Sequence, residues 1–251
     1  MKKLLSLIVL VSYLALFLPT KAAIRSTDGA SAQYVDCGSA AVLDNITNQT
    51  FAAWVKLTTL DPAGTRIIMA KGGGGVGNNF AMLSTGTGTL QLFRETGTTD
   101  DDVSALWSSF TGAAANTWMF VAGTRTGTST HALYVGTRSL LAAPPSTYSV
   151  NTGGSGPLGN DGANTIKFSG GVSTQGLPGD IAWVGVWNRA LTQRELWQVQ
   201  TRNYPTNGIV LSIQSGFNGL GTPLDRSGYR HSCSFVGSGS TVAPHSPTLP
   251  I

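Results

Sequence analysis

Groups able to trade protons or hold a metal are few in this chain and widely spaced. Beyond residue 22 there are two glutamates, Glu95 and Glu195. Glycoside hydrolysis by the usual route takes two carboxyls about 5–10 Å apart. On a strand these would stand at i, i+2 or i+4, which share a face, and no stretch that reads as a strand carries them. Glu195 also completes Thr192-Gln193-Arg194-Glu195. That is a capping box, in which the threonine hydroxyl takes a first-turn amide and the glutamate reaches back. His131, His231 and His245 are scattered, and neither H-E-x-x-H nor G-x-S-x-G occurs. No catalytic residue is expected.

Asp100-Asp101-Asp102, flanked by Thr and Gly, reads as an acidic loop. Several loop oxygens are what calcium takes, so these three and Asp161 are the candidate calcium ligands. A solvated loop is the simpler reading of the run, and Asp161-Gly162 is first a turn signal. Gly72 to Gly77 matches G-x-G-x-x-G, but another strand follows where a dinucleotide site needs a helix, so it reads as a hairpin loop. Six tryptophans are present. Trp54, Trp118, Trp183 and Trp187 fall in apolar stretches and read as core. Trp107 and Tyr148 stand among Ser, Thr and Gly, where an exposed ring could stack on a sugar. Cys37 and Cys233 are the two cysteines; spacing alone leaves a bridge and two separate buried thiols equally open. Asn45-Ile46-Thr47 and Asn48-Gln49-Thr50 are glycosylation sequons.

The elements that must position these residues are short. Of 251 residues, 11% are charged and 32 are glycine, against about 25% and 7% in an average soluble domain. This excludes a coiled coil and a charged disordered chain, and the absence of a G-X-Y period excludes collagen. Lys2-Lys3, the apolar run Leu4–Leu18 and the exit Thr20-Lys21-Ala22 have the plan of a secretory signal peptide over residues 1–22. The run is short for a span, which needs about 20 residues. Cleavage after Ala22 removes three of sixteen basic residues and leaves thirteen against twelve acidic ones. With a net charge near +1 and no basic cluster, no nucleic-acid footprint is present.

From Ala23 onward, apolar stretches at Tyr34–Cys37, Thr50–Lys56, Arg66–Ala70, Phe80–Ser84 and Thr89–Arg94 read as strands. So do Trp118–Gly123, His131–Val135, Thr165–Phe168, Asp180–Trp187 and Ile209–Ile213. Thr85-Gly86-Thr87-Gly88 is a hairpin turn between two of them. Many short strands at this spacing indicate an all-β sandwich or barrel. One short helix follows Thr192, with Leu191, Leu196 and Val199 facing the sheet. Residues 23–243 suit a single domain, and 244–251, with three prolines, a weakly ordered tail.

Tyr34-Val35-Asp36-Cys37-Gly38, Phe51-Ala52-Ala53-Trp54-Val55-Lys56, Trp118-Met119-Phe120-Val121-Ala122 and Leu133-Tyr134-Val135-Gly136 come in a telling order. With Gly179-Asp180-Ile181-Ala182-Trp183-Val184-Gly185-Val186-Trp187, they resemble a laminin-G-like (concanavalin A-like) jelly-roll domain across roughly residues 25–200. The resemblance implies two antiparallel sheets packed face to face. Ile209-Val210-Leu211 and Asp225-Arg226-Ser227-Gly228-Tyr229-Arg230-His231 resemble the segment that usually begins such domains. A circularly permuted order is therefore expected, with residues 208–237 adding strands beside the one holding Tyr34. That placement would bring Cys233 towards Cys37 and favours a disulfide. Many relatives carry an acid where Ala182 stands, so a family calcium site is not carried over there, and the glutamate-rich strand of the superfamily's enzymes is absent.

The favoured expectation is a secreted, extracellular, non-catalytic β-sandwich that binds an extracellular polymer, a glycan first of all, with no membrane span once the signal is removed. The alternatives are a structural or attachment component of a cell surface or virion, self-assembling or held by a protein partner, and a polysaccharide-cleaving enzyme.

Overall fold

Phe51, Ala53, Val55 and Leu57 alternate with Ala52, Trp54 and Lys56, the period-2 pattern of a strand with two different neighbours. The computed structural model describes residues 23–26, 34–72, 80–95, 100–127, 130–137, 146–150, 161–171, 175–214, 223–237 and 241–243. In it the alternating run forms β3 (Gln49–Leu57), near the middle of the larger of two antiparallel sheets.

Across this sheet the order is β10 (Ser146–Val150), β9 (Thr130–Thr137), β8 (Trp118–Thr126), β3, β12 (Gly179–Trp187), β1 (Ala23–Ser26) and β16 (Thr241–Ala243). β13 (Ile209–Gln214) lies on the same side of β12 as β1. β1 pairs with residues 179–181 and β13 with residues 183–187, and β14 (Leu224–Asp225) pairs with β13. The second sheet runs β15 (Ser234–Val236), β2 (Tyr34–Asp36), β11 (Ile166–Phe168), β4 (Arg66–Lys71), β5 (Phe80–Ser84), β6 (Thr89–Glu95) and β7 (Asp100–Leu106). The fold is a jelly-roll sandwich of the concanavalin A type.

Between the sheets, Phe51, Val55, Val121, Val135 and Val186 meet Val35, Ile68, Leu92, Val103 and Phe168 in one buried cluster. Burying each such side chain is worth about 1.5–3 kcal/mol. The tryptophans depart from expectation. Trp54, Trp183 and Trp187 are buried, but in a second cluster on the other face of the larger sheet. There the helix α1 (Gln193–Gln200) covers them with Leu196 and Val199, and Leu191 joins from just before it. The irregularity in β12 between Ile181 and Trp183 turns Ala182 and Trp183 to that outer layer together. Trp118 is half-buried at the margin, with the Lys56 ammonium 5.6 Å from its ring centre. The capping box forms as read: Glu195 N donates to Thr192 Oγ1, and Thr192 N to Glu195 Oε2 at 2.9 Å.

The carboxyl-terminal stretch divides between the sheets. β15 pairs with β2, opposing Phe235 to Val35, as expected. β13 and β14 instead extend the larger sheet beside β12. The cause is apolar: Val210, Leu211 and Ile213 are buried together in the inter-sheet cluster, beside Val184 and Val186. Cys37 and Cys233 form a disulfide across 196 residues of sequence, next to the β2–β15 pair. No helix among the described residues is long and apolar enough to cross a membrane. Residues 1–22, the glycine run from Gly73 and the tail 244–251 lie outside the described residues.

Candidate functional site

The connection after β14 is built around one carboxylate. Asp225, 4% exposed, accepts from Ser212 N (2.9 Å), Ser227 N (2.8 Å), Ser227 Oγ (2.7 Å) and His231 N (2.8 Å). An ionised acceptor makes such bonds about twice as strong as neutral ones. An aspartate bonding the amide two residues on is the local turn that Asp-x-Ser favours. Arg226 N donates to Ser212 O at 2.7 Å, Leu224 bridges to Ser232, and the disulfide follows at Cys233. The loop is therefore held to β13 at its start and at its end. His231 Nε2 lies 2.9 Å from Val210 O. A carbonyl only accepts, so that nitrogen carries a proton.

What this frame presents outward is a cleft of about 600 Å³, walled by Leu224, Arg226, Gly228, Arg230 and His231 over the turn at Asp225 and Ser227. Beside it stands Tyr229, 54% exposed, its ring stacked on that of His231 with centres 5.8 Å apart and planes 8° from parallel. An exposed aromatic face next to guanidinium donors can pack on the apolar face of a sugar while its oxygens are hydrogen-bonded.

The residues singled out by sequence are not at this cleft. Trp107 is 2% exposed, its indole Nε1 donating to Ser84 Oγ at 3.2 Å. It closes the core beneath a short 3₁₀ turn and offers no ring to a ligand. Tyr148 lies in β10, opposite Leu133, and its side chain is outside the described residues. Asp100, Asp101 and Asp102 are not a loop: they open β7, paired with Glu95, Arg94 and Phe93. Successive strand positions alternate between faces, and Asp102 accepts from Gln91 Nε2 at 2.5 Å across the pair. Asp161 is buried and committed to a lysine. Lys71 Nζ is 2.9 Å from Asp161 Oδ1 and 2.7 Å from Asp44 Oδ1, and Asn45 N donates to Asp161 Oδ1 at 2.7 Å. No cluster of three metal-ligating side chains occurs among the described residues.

Other carboxylates serve the framework too. Asp180 pairs with Lys56 at 2.8 Å, and Asp36 accepts from Gly38 N and Thr165 Oγ1. Glu195 is held down to about 2, first by the hydrogen bond from Arg189, with Thr192 adding to it against the opposing effect of burial. The signal that could have found the cleft was present in Asp225–His231, which packs two arginines, a tyrosine and a histidine into seven residues of a charge-poor chain.

The model of a family described as the concanavalin A-like lectin/glucanases superfamily matches residues 28–196. No curated protein matches the chain. Among solved structures it is similar to a heptameric SAP-like pentraxin from Limulus polyphemus, at 16% identity and TM-score 0.54, covering 92% of this chain and 99% of that one. It is also similar to a candidate carbohydrate-binding protein from Bacteroides ovatus ATCC 8483, at 14% identity and TM-score 0.52, covering 86% and 62%. A third is the CBM40 of a Ruminococcus gnavus IT-sialidase bound to α2,3-sialyllactose, at 15% identity and TM-score 0.48, covering 71% and 96%. These are likenesses of fold.

Proposed function

The chain belongs to the concanavalin A-like lectin/glucanases superfamily, and from that premise we propose that it is an exported, non-catalytic module that binds an extracellular carbohydrate at the Leu224–His231 cleft. The observation that carries the reading is the exposed Tyr229 ring, stacked on His231 at the cleft's wall, in a loop whose backbone Asp225 ties together. The rigid frame favours binding because little ordering cost remains when a ligand arrives. A non-catalytic role agrees with the use of six of the described acids. Asp36, Asp44, Asp161, Asp180, Glu195 and Asp225 are each engaged with an amide, a hydroxyl or a cation inside the fold. Export agrees with the disulfide, which forms and persists in oxidising compartments.

A glycan array probed with the chain starting at Ala23, with and without calcium, tests the reading. Binding to at least one saccharide class is expected, with Tyr229→Ala weakening it by about tenfold, the loss of one stacking contact of about 1–1.5 kcal/mol. No signal above background under either condition would sink it. If the chain is instead a self-assembling surface component, light scattering shows multimers at micromolar concentration and the array stays blank.

A further inference from the structure

Among residues whose burial is described, three arginines and no lysine are exposed: Arg194, Arg226 and Arg230. Two of the three wall one cleft, although they stand only four positions apart in a chain with 11% charged residues. Arg226 takes part in an interaction of its own, as do other described cations. Lys71 sits between two aspartates, Lys56 pairs with Asp180, Arg189 with Glu195, and Arg125 is buried. The acid nearest the cleft, Asp225, has both oxygens occupied by four donors from its own loop and from β13. The surface a ligand meets is therefore cationic and aromatic, on a loop pinned at both ends.

Resting on the carbohydrate-binding reading, we propose that the Leu224–His231 cleft selects an anionic saccharide. Arg226 and Arg230 take the carboxylate or sulfate of the sugar, and the Tyr229 ring packs against its pyranose face. A guanidinium suits this task because its planar fork matches the paired oxygens of such groups. A neutral sugar offers only hydroxyls, and these gain less from a charged donor than an anion does. The chain from Ala23 onward, near neutral overall, would not collect polyanions by bulk charge, and local charge of the kind this cleft offers is what can select an anion.

Titration calorimetry of the chain starting at Ala23 tests this, with trigalacturonate, a sulfated heparin disaccharide and maltotriose as probes. At least one anionic probe is expected to bind tenfold or more tightly than maltotriose in 50 mM NaCl, with the preference shrinking in 500 mM NaCl. Carboxylate and sulfate arms show which group is taken. Arg230→Gln and Arg226→Gln should each weaken the anionic probe by about tenfold or more, the loss of a charge-assisted hydrogen bond. Arg194→Gln on the helix should leave binding unchanged, and Arg230→Lys should keep the salt dependence. Maltotriose binding as tightly as the anions, in a Tyr229-dependent way, overturns the anionic selectivity and leaves the carbohydrate reading standing. An equal loss in Arg194→Gln overturns the assignment to this cleft. Absence of binding to all three probes, together with a blank array, overturns both. Thermal melting of each variant confirms that folding is retained.

Discussion

Lys71 is fully buried, with its ammonium within 3 Å of Asp44 and Asp161, and it also donates to the Asp161 carbonyl at 2.8 Å. It ties β4 to the turn after Leu43 and to the approach to β11. Removing one partner of a buried ionic group is costly because the remaining charges stay buried and unpaired, so Lys71→Ala should lose about 3–5 kcal/mol of stability in urea unfolding. A loss under about 1 kcal/mol would show that the site is solvated. Glu195 makes the opposite case at the surface. Its side chain and that of Arg189 are each 26% exposed, with paired contacts of 3.0 and 2.7 Å. Such a pair is worth about 1 kcal/mol or less. Its folded pKa, about 2, lies below an unfolded value of about 4.3. Its contribution is therefore present above about pH 4–5 and is lost as pH falls towards 2. Glu195→Gln should cost up to about 1 kcal/mol at pH 7, with the gap to the parent protein closing by pH 2–3. A gap constant with pH would refute this. The two sites also differ in legibility. Four contiguous residues announce the cap, whereas the partners of Lys71 lie 27 and 90 positions away, and nothing local in the sequence marks them.

Strands rich in Val, Ile and Phe were readable because alternation and burial agree there. β7 was not, since Asp100-Asp101-Asp102 are poor strand formers and mask the alternation that follows. Yet Val103 and Ala105 are buried while Ser104 and Leu106 face outward, the pattern of a half-buried strand. β7 is also the last strand of its sheet in the order described. Charges there discourage pairing with another chain's edge, a physical use for the acidic run that needs no metal. The outer tryptophan layer was missed for a related reason: composition says that a ring is buried but not in which layer. Gly185 is what lets that layer close. A Cβ built there would lie 2.4 Å from the Trp183 ring and 2.8 Å from that of Trp187, whose centres are 6.0 Å apart. Gly185→Ala should therefore displace a ring, costing about 1–3 kcal/mol and changing the near-ultraviolet circular dichroism of the tryptophans. An unchanged spectrum and melting temperature would show that the rings move aside freely.

At the scale of the molecule, the ends of the described chain meet. β1 and β16 are antiparallel neighbours, with Ala23 opposite Ala243 and Arg25 opposite Thr241. A link from Ala243 back to Ala23 thus has only a hairpin turn to make, which two to five residues usually accomplish. We propose that the order is a circular permutation of the usual one, and the geometry makes this testable. A chain rearranged to begin at Gly208, run to Ala243, cross a four-residue Gly/Ser turn to Ala23 and end at Arg202 keeps every strand pair described above. It should fold to the same sheets and close the same Cys37–Cys233 bridge. One quantity must change. The bridge now closes a loop of 196 residues, and in the rearranged chain it would close roughly thirty. Because loop-closure entropy scales as 1.5RT ln n, the bridge should stabilise the rearranged chain by about 1.5–2 kcal/mol less. With both cysteines replaced by serine, that difference should vanish, which separates the effect of the bridge from any damage at the new ends. A rearranged chain that fails to fold cooperatively, with serines or with the bridge, would mean that the native connectivity, and not only the set of strand pairings, is what holds the two sheets together.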